Sequence, residues 1–350
     1  MNTSAAPDSE THQKVRAYRL DDFTGVDDLH LREEDEPRPQ RGELVVRVRA
    51  VSLNFRDIAM VRDKYPMPHK KGLIPTSDAA GEVVEIGEGV DAFKVGDRVM
   101  GTFHPRWFGG RMNAEVFKYA YGSDSDGWLV ERKVISQESV VGIPDTLSYE
   151  EAATLPCAGL TAWVALTAGM AIRAGHTVLT QGTGGVSIFA LQLAKAVGAR
   201  VIATTSGAAK ADRLRALGAD EVLNYKEEPQ WGERVRALTG GRGVDRIVEV
   251  GGPGTMGQSL RAVAPGGEIV SIGFLSTENP GIDFFALFAS WATFRPIGVG
   301  NREDLKDLVR AVAMAGIKPV IDRVFEFERA REAFAHLDSG LHIGKIVIRC

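Results

Sequence analysis

The sequence predicts an α/β protein in which a doubly wound parallel sheet is inserted into a discontinuous β-rich domain. Three observations carry this. Between residues 44 and 101, valine-rich runs (44–53, 81–86 and 97–100) alternate with glycine-bearing turns, the pattern of short antiparallel strands. From about residue 148, helix-length segments alternate with nearly continuous apolar runs at 176–181, 200–205, 221–224, 244–250 and 268–273. Such runs fit strands covered on both faces, and their alternation with helices implies parallel βαβ units with right-handed crossovers. After residue 301, a helical pattern at 303–314 and strands near 321–325 and 345–349 do not extend the series, so the chain is expected to return to the first sheet.

These segments divide the chain into a flexible tail at 1–14, a β domain made of 15–147 and 301–350, and an inserted α/β domain at 148–300. A sixth strand is expected at 295–300, where Pro296 near its start marks an edge position. Edge strands invite pairing, so a homodimer joined near this strand and the apolar stretch 284–294 is expected. That stretch has only about half of the roughly 20 residues that a bilayer-spanning helix needs, and reads as a buried or interface segment.

Composition narrows the function. With 350 residues, 44% of them hydrophobic and 25% charged, the chain can bury two ordinary cores. A formal charge of -4 supplies no cationic field for nucleic acid or an anionic membrane, which leaves a small-molecule partner. Two cysteines, Cys157 and Cys350, exclude a disulfide framework and a four-cysteine zinc site. The polar N-terminal residues lack a secretion signal, so a cytoplasmic location is expected.

Directly after the run at 176–181 stands Gly182-Thr183-Gly184-Gly185-Val186-Ser187, followed by a helical pattern. A glycine-rich turn between strand and helix lets the backbone approach a pyrophosphate, with the helix N-terminus facing the phosphates. This is the signature of a Rossmann dinucleotide site, with serine in place of the usual third glycine. The end of the next strand discriminates between cofactors, because an NAD enzyme needs a carboxylate there. The sequence instead reads Thr205-Ser206-Gly207-Ala208-Ala209-Lys210. Ser206 and Lys210 offer a hydroxyl and a cation for a 2'-phosphate, and Tyr225, after the third strand, offers a second hydroxyl. The expected cofactor is NADP(H).

At these residues the chain resembles the medium-chain dehydrogenase/reductase superfamily, and within it the zinc-independent quinone oxidoreductase and alcohol dehydrogenase-like branch. The resemblance runs from about Val15 to the end and is most specific at Ser52-Leu53-Asn54-Phe55-Arg56-Asp57, at 78–87, at 155–163, at the Gly182 turn and at 344–348. It implies a GroES-like fold for the flanking β domain, a substrate cleft between the domains, and a nicotinamide contact for Thr161 at the start of a bridging helix. It also implies that zinc members carry a cysteine where Asn54 stands, a histidine and an acid where Ser77 and Asp78 stand, and a third ligand at Cys157. One soft ligand does not make a three-ligand catalytic zinc site, so no metal is expected.

Without a metal, hydride transfer relies on positioning and on donors near the developing oxyanion. Asn54 is the first candidate donor. Asp57 is placed to orient Asn54 or a cofactor hydroxyl, or else to fix the turn. Tyr65 is a candidate proton donor, or else a loop anchor beside Pro66. Trp107, Phe108, Phe117, Tyr119 and Trp128 supply aromatic rings for local packing or for covering substrate. The expected function is a zinc-independent NADP(H)-dependent oxidoreductase that moves hydride between NADPH and a quinone, enone, enal or carbonyl compound. Its alternative is a non-catalytic NADPH-binding structural or regulatory protein of the same fold.

Overall fold

The computed structural model describes residues 14–276 and 281–350. Of the expected tail, 1–13 lies outside the described residues. Lys14 does not belong to a tail: it opens β1 (Lys14–Leu20), paired antiparallel with β2 (Leu29–Asp35), because Val15, Ala17 and Leu20 are buried and pin the strand.

The first large sheet is built from β3 (Glu43–Leu53), β4 (Asp78–Ile86), β5 (Arg98–Gly101), β6 (Arg132–Ser136) and β7 (Val140–Gly142). β3 pairs antiparallel with β4 along one edge and with β6 along part of the other, and β4 continues to β5 and β7. One face is a continuous apolar layer that includes Val46, Val48, Val51 and Val83.

The inserted unit is a six-stranded parallel sheet of β8 (Thr177–Gln181), β9 (Arg200–Thr205), β10 (Glu221–Asn224), β11 (Val244–Glu249), β12 (Val263–Ser271) and β13 (Thr293–Pro296). Their order is β10-β9-β8-β11-β12-β13. Every residue of β8 and β11 is buried, which explains runs apolar on both faces. The order reverses between β8 and β11, so the crevice outside their carboxyl ends is the ligand position of this topology.

The chain then returns to the first sheet. β14 (Ile321–Glu326) runs parallel to β15 (Lys345–Arg349), and β15 lies antiparallel to β3 with Ile346 opposite Leu53. One hydrophobic core joins the two units, combining Ala50, Ala80 and Met100 of the first sheet with Leu160, Phe189 and Val201 of the second.

The sixth strand differs from its expected position: it spans Thr293–Pro296, in register with Glu268 to Ser271. Pro296 therefore ends the strand, opposite Ser271, and its missing N–H is tolerated because β13 is the edge of the sheet. Before it, the helix Phe284–Ser290 exposes Phe284, Phe285 and Phe288, and Trp291 follows, 75% exposed.

Three strands of the inserted sheet are tied by buried charge. Arg246 on β11 is fully buried, pairs with Glu268 on β12 at 2.7 Å, and donates to the carbonyls of Ala165 and Met170. Glu268 also pairs with Arg295 on β13 at 2.6 Å. Removing one member of a buried ion pair strands the other, so Arg246→Met is expected to cost about 3 kcal/mol in a urea unfolding measurement. A loss below about 1 kcal/mol would contradict this role for the pair.

Candidate functional site

The predicted nucleotide turn lies at the carboxyl end of β8. Gly182 has φ +74°, and Gly184 caps the helix Gly185–Ala196 with no side chain occupying its first amides. A Cβ built on Gly182 or Gly184 meets nothing within 4 Å, which leaves room for a ligand against the backbone. Gly185 is different: a Cβ there would sit 2.6 Å from Cδ of Lys345 and 3.1 Å from Cβ of Ala158. The absent third glycine is also explained, because Ser187 is buried and donates its hydroxyl to the Gln181 carbonyl at 2.6 Å. Thr183 accepts the Gly344 amide at 2.8 Å, so the turn is braced by the returning chain. Val186 is half-buried in the first helical turn.

The expected ribose end forms at the carboxyl edge of β9. Ser206 follows Thr205, Tyr225 donates its amide to the Thr205 carbonyl at 3.0 Å, and Lys210 lies in the first turn of the helix Ala208–Ala216. The Lys210 ammonium donates to the Gly340 carbonyl at 2.8 Å, and burial draws its pKa below the usual lysine value, with Asp322 opposing and Lys226 adding to the shift. Lys226, one residue beyond Tyr225, is therefore a further cation near this end. Glu249 closes the floor beside the turn: it is buried at the end of β11 and accepts from Gln181 at 2.7 Å and from the Gly251 amide at 2.9 Å.

Asn54, Ser77, Asp78 and Cys157 converge on one buried polar cluster between the two units. The Asn54 amide nitrogen donates to Asp78 at 3.0 Å and to Ser77 at 3.4 Å, and Ser77 donates to Asp78 at 2.7 Å. A π-turn at Leu155–Gly159 presents the Cys157 amide to Asp78 at 3.1 Å. The unforeseen member is Lys345, whose buried ammonium donates to the Leu53 carbonyl and to the Asn54 side-chain oxygen.

This arrangement corrects one expectation and decides between the two readings of Asp57. Asn54 is not a free donor for substrate, because both its amide protons and its oxygen are engaged within the cluster. Asp57 does not orient the Asn54 side chain; it accepts the Asn54 backbone amide at 2.7 Å and fixes the start of the helix Phe55–Val61.

Burial pushes the Asp57 carboxyl up to about 6, against the opposing pull of Arg56, and pushes the Asp78 carboxyl up against that of Lys345. Lys345 is drawn below the usual lysine value by burial, with Asp78 opposing. The Cys157 thiol is pushed well above its ordinary value by burial and then by Asp78. Only the Cys157 thiol and the Asp78 carboxylate are side-chain types that zinc takes; the Asn54 amide is bonded to the Lys345 ammonium and Ser77 offers a neutral hydroxyl, so the set falls short of a three-ligand site.

Tyr65 stands at the edge of the cleft, its ring 6.0 Å from that of Phe274 in the inserted unit and 5.2 Å from the Arg56 guanidinium. Phe55 meets Phe274 at 6.4 Å. Thr161 is buried in the first turn of the helix Leu160–Thr167. Of the aromatic stretch, Trp107 and Trp128 are packed in, whereas Phe108 and Phe117 are exposed.

A six-stranded doubly wound sheet with an open glycine turn, facing a β domain across a polar cluster, defines a pyridine-nucleotide-binding oxidoreductase fold. The comparisons agree. Residues 40–145 match the alcohol dehydrogenase GroES-like domain, and residues 185–314 match the zinc-binding dehydrogenase family. A zinc-type alcohol dehydrogenase-like protein of Schizosaccharomyces pombe is 36% identical over 336 residues, covering 94% of this chain and 97% of its own. A crystal structure of an alcohol dehydrogenase candidate from Sinorhizobium meliloti is 43% identical with a TM-score of 0.89, covering 97% of this chain and 99% of its own. A mycobacterial protein solved in complex with NADPH is 27% identical with a TM-score of 0.81, covering 96% of this chain and all of its own. The chain belongs to the medium-chain dehydrogenase/reductase superfamily of oxidoreductases.

The raised Asp57 carboxyl has a pH signature. A folded pKa of about 6, well above the ordinary aspartate range, means that the folded state holds this proton more tightly, so the group's contribution to stability grows as pH falls from 6 towards 4. Relative to Asp57→Asn, the wild type is expected to gain about 2 kcal/mol between pH 7.5 and pH 4.5 in paired urea unfolding curves. A difference independent of pH would show that Asp57 is ionised throughout.

Proposed function

We propose that this protein is a metal-independent, NADP(H)-dependent oxidoreductase that moves hydride between the nicotinamide and a quinone, enone, enal or carbonyl compound, with alcohol oxidation as the reverse direction. The observation that carries the reading is the chemistry at the two ends of the glycine turn. No acid stands at the end of β9, where Ser206 and Lys210 are found, and the cleft holds an amide, a hydroxyl and a thiol where zinc members hold ligands.

In this reading the amides of Thr183, Gly184, Gly185 and Val186, with the open surface of Gly182, seat the pyrophosphate. Ser206, Lys210 and Tyr225 hold the 2'-phosphate; Lys210 exchanges its bond to Gly340 for a stronger charge-assisted one. Thr161 contacts the nicotinamide ring, which supplies or accepts the hydride when bound. Tyr65 delivers the proton to the reduced substrate, and Phe55 and Phe274 exclude water from the cleft. Asn54 and Asp57 position the backbone at the head of the Phe55–Val61 helix and do not touch the reacting atoms.

Among the described residues no helix is long and apolar enough to cross a membrane, and the proposed partner is a small molecule in the cytoplasm. We also propose a homodimer joined along β13 and the Phe284–Ser290 helix, where Phe284, Phe285, Phe288 and Trp291 leave a contiguous apolar face.

Chelator-treated protein is expected to oxidise NADPH with at least one of a panel of quinones, enals, ketones and aldehydes; tight NADPH binding with no turnover of any would favour the non-catalytic alternative. Lys210→Gln is expected to weaken NADPH about tenfold more than NADH in fluorescence titrations, and equal losses would reject the phosphate assignment. Phe285→Glu is expected to convert a dimer to a monomer by light scattering, whereas an unchanged mass would move the interface elsewhere.

A further inference from the structure

The segment 340–344, between the helix Ala330–Asp338 and β15, is tied to the inserted unit at two points. The Gly340 carbonyl accepts from the Lys210 ammonium at 2.8 Å, and the Gly344 amide donates to the Thr183 carbonyl at 2.8 Å. The first tie lies at the proposed ribose end of the nucleotide seat and the second at its glycine turn, so the segment runs along the rim of that seat. His342 is its middle residue, two positions from each tie. Asp322 of β14 holds the segment in place, accepting the Ile343 amide at 3.0 Å through Oδ1 and pairing with His336 Nε2 at 2.8 Å through Oδ2. The His342 ring has no such partner: its Nδ1 is buried without a hydrogen bond among the described residues. A proton on that nitrogen would be stranded, so the neutral ring carries it on Nε2.

Charge around this ring is lopsided. Burial lowers the His342 pKa to about 4; Asp322 opposes the shift, and Lys210, Lys345 and a protonated His336 add to it, so the imidazole is neutral at pH 7. Lys226 adds its charge at Lys210. Each Asp322 oxygen is already engaged, so the cluster offers cations and an N–H donor with no free anion to receive them. A phosphate supplies what is missing, because hydrogen bonds to an ionised acceptor are the strong ones.

We propose that His342 is a further ligand of the cofactor's 2'-phosphate, donating an N–H to it from the β domain while Ser206 and Lys210 hold it from the inserted unit. The inference rests on the NADP(H) reading and extends it: the phosphate is read from both units, and NADH, which lacks it, makes no such tie. His342 is a binding residue that discriminates between cofactors and takes no part in moving hydride or proton.

The test compares wild type with His342→Leu, which removes the donor, and His342→Gln, which keeps one. Folding is checked by circular dichroism. NADPH and NADH are titrated by fluorescence, and adenosine 2',5'-bisphosphate and 5'-AMP by calorimetry, so that the phosphate is read with and without the nicotinamide half. His342→Leu is expected to weaken NADPH and the bisphosphate about tenfold and to leave NADH and AMP within about twofold, while His342→Gln recovers most of the loss. Equal losses for NADPH and NADH would show a packing role and overturn the inference, as would an unchanged preference for NADPH in folded His342→Leu. A crystal structure of the wild type with the bisphosphate depends on no variant: a His342 ring nitrogen is expected within hydrogen-bond distance of the 2'-phosphate, and a ring turned away from it overturns the inference. Wild type that binds NADPH no more tightly than NADH would instead overturn the NADP(H) reading itself.

Discussion

The structure depends on the return of the last strand onto the first sheet. β15 could have closed the β domain anywhere along β3, but its register with Leu53 brings Gly344 against Thr183 and Lys345 against Gly185. Two consecutive residues therefore hold the nucleotide turn and the cleft cluster at a fixed separation. Loop closure over a chain of this length costs entropy that the β3 pairing and the buried Ile346 and Ile348 offset. Without that closure the glycine turn is an ordinary strand-to-helix connection, and Asn54, Asp78 and Cys157 have no cation between them.

The cleft gathers two acids, Asp57 and Asp78, and two bases, Arg56 and Lys345, all buried. Burial of single charges is prohibitive, and the arrangement answers it in pairs. Arg56 lies 3.6 Å from Asp57, donates to the Tyr121 carbonyl at 2.9 Å and stacks between Tyr65 and Phe103. Lys345 reaches Asp78 only through Asn54. The amide is thus consumed as a bridge, which is why a residue that looks from the sequence like a donor to substrate turns inward.

Much of this was legible in the sequence. The parallel sheet showed in runs apolar on both faces, and four of its six strands start within a residue of their expected positions. The discontinuous β domain showed in the strands after residue 301 that had no βα partner. The glycine turn was legible because it must lie between strand and helix, and it does. What stayed hidden depended on long-range contacts. Lys345 shows in the sequence only as the head of a short closing strand until its partner at residue 53 is known. Asp57 and Asn54 were singled out by residue type, but only the fold shows which atoms they meet. The edge strand was displaced because Pro296 was read as a beginning when the pairing with β12 makes it an end.

The most direct test of the account is a crystal structure with NADPH bound. It is expected to show the pyrophosphate on the amides following Gly182, the 2'-phosphate between Ser206 and Lys210, and the nicotinamide facing the cleft. A nucleotide seated elsewhere, or a metal ion held among residues 54, 77, 78 and 157, would contradict it.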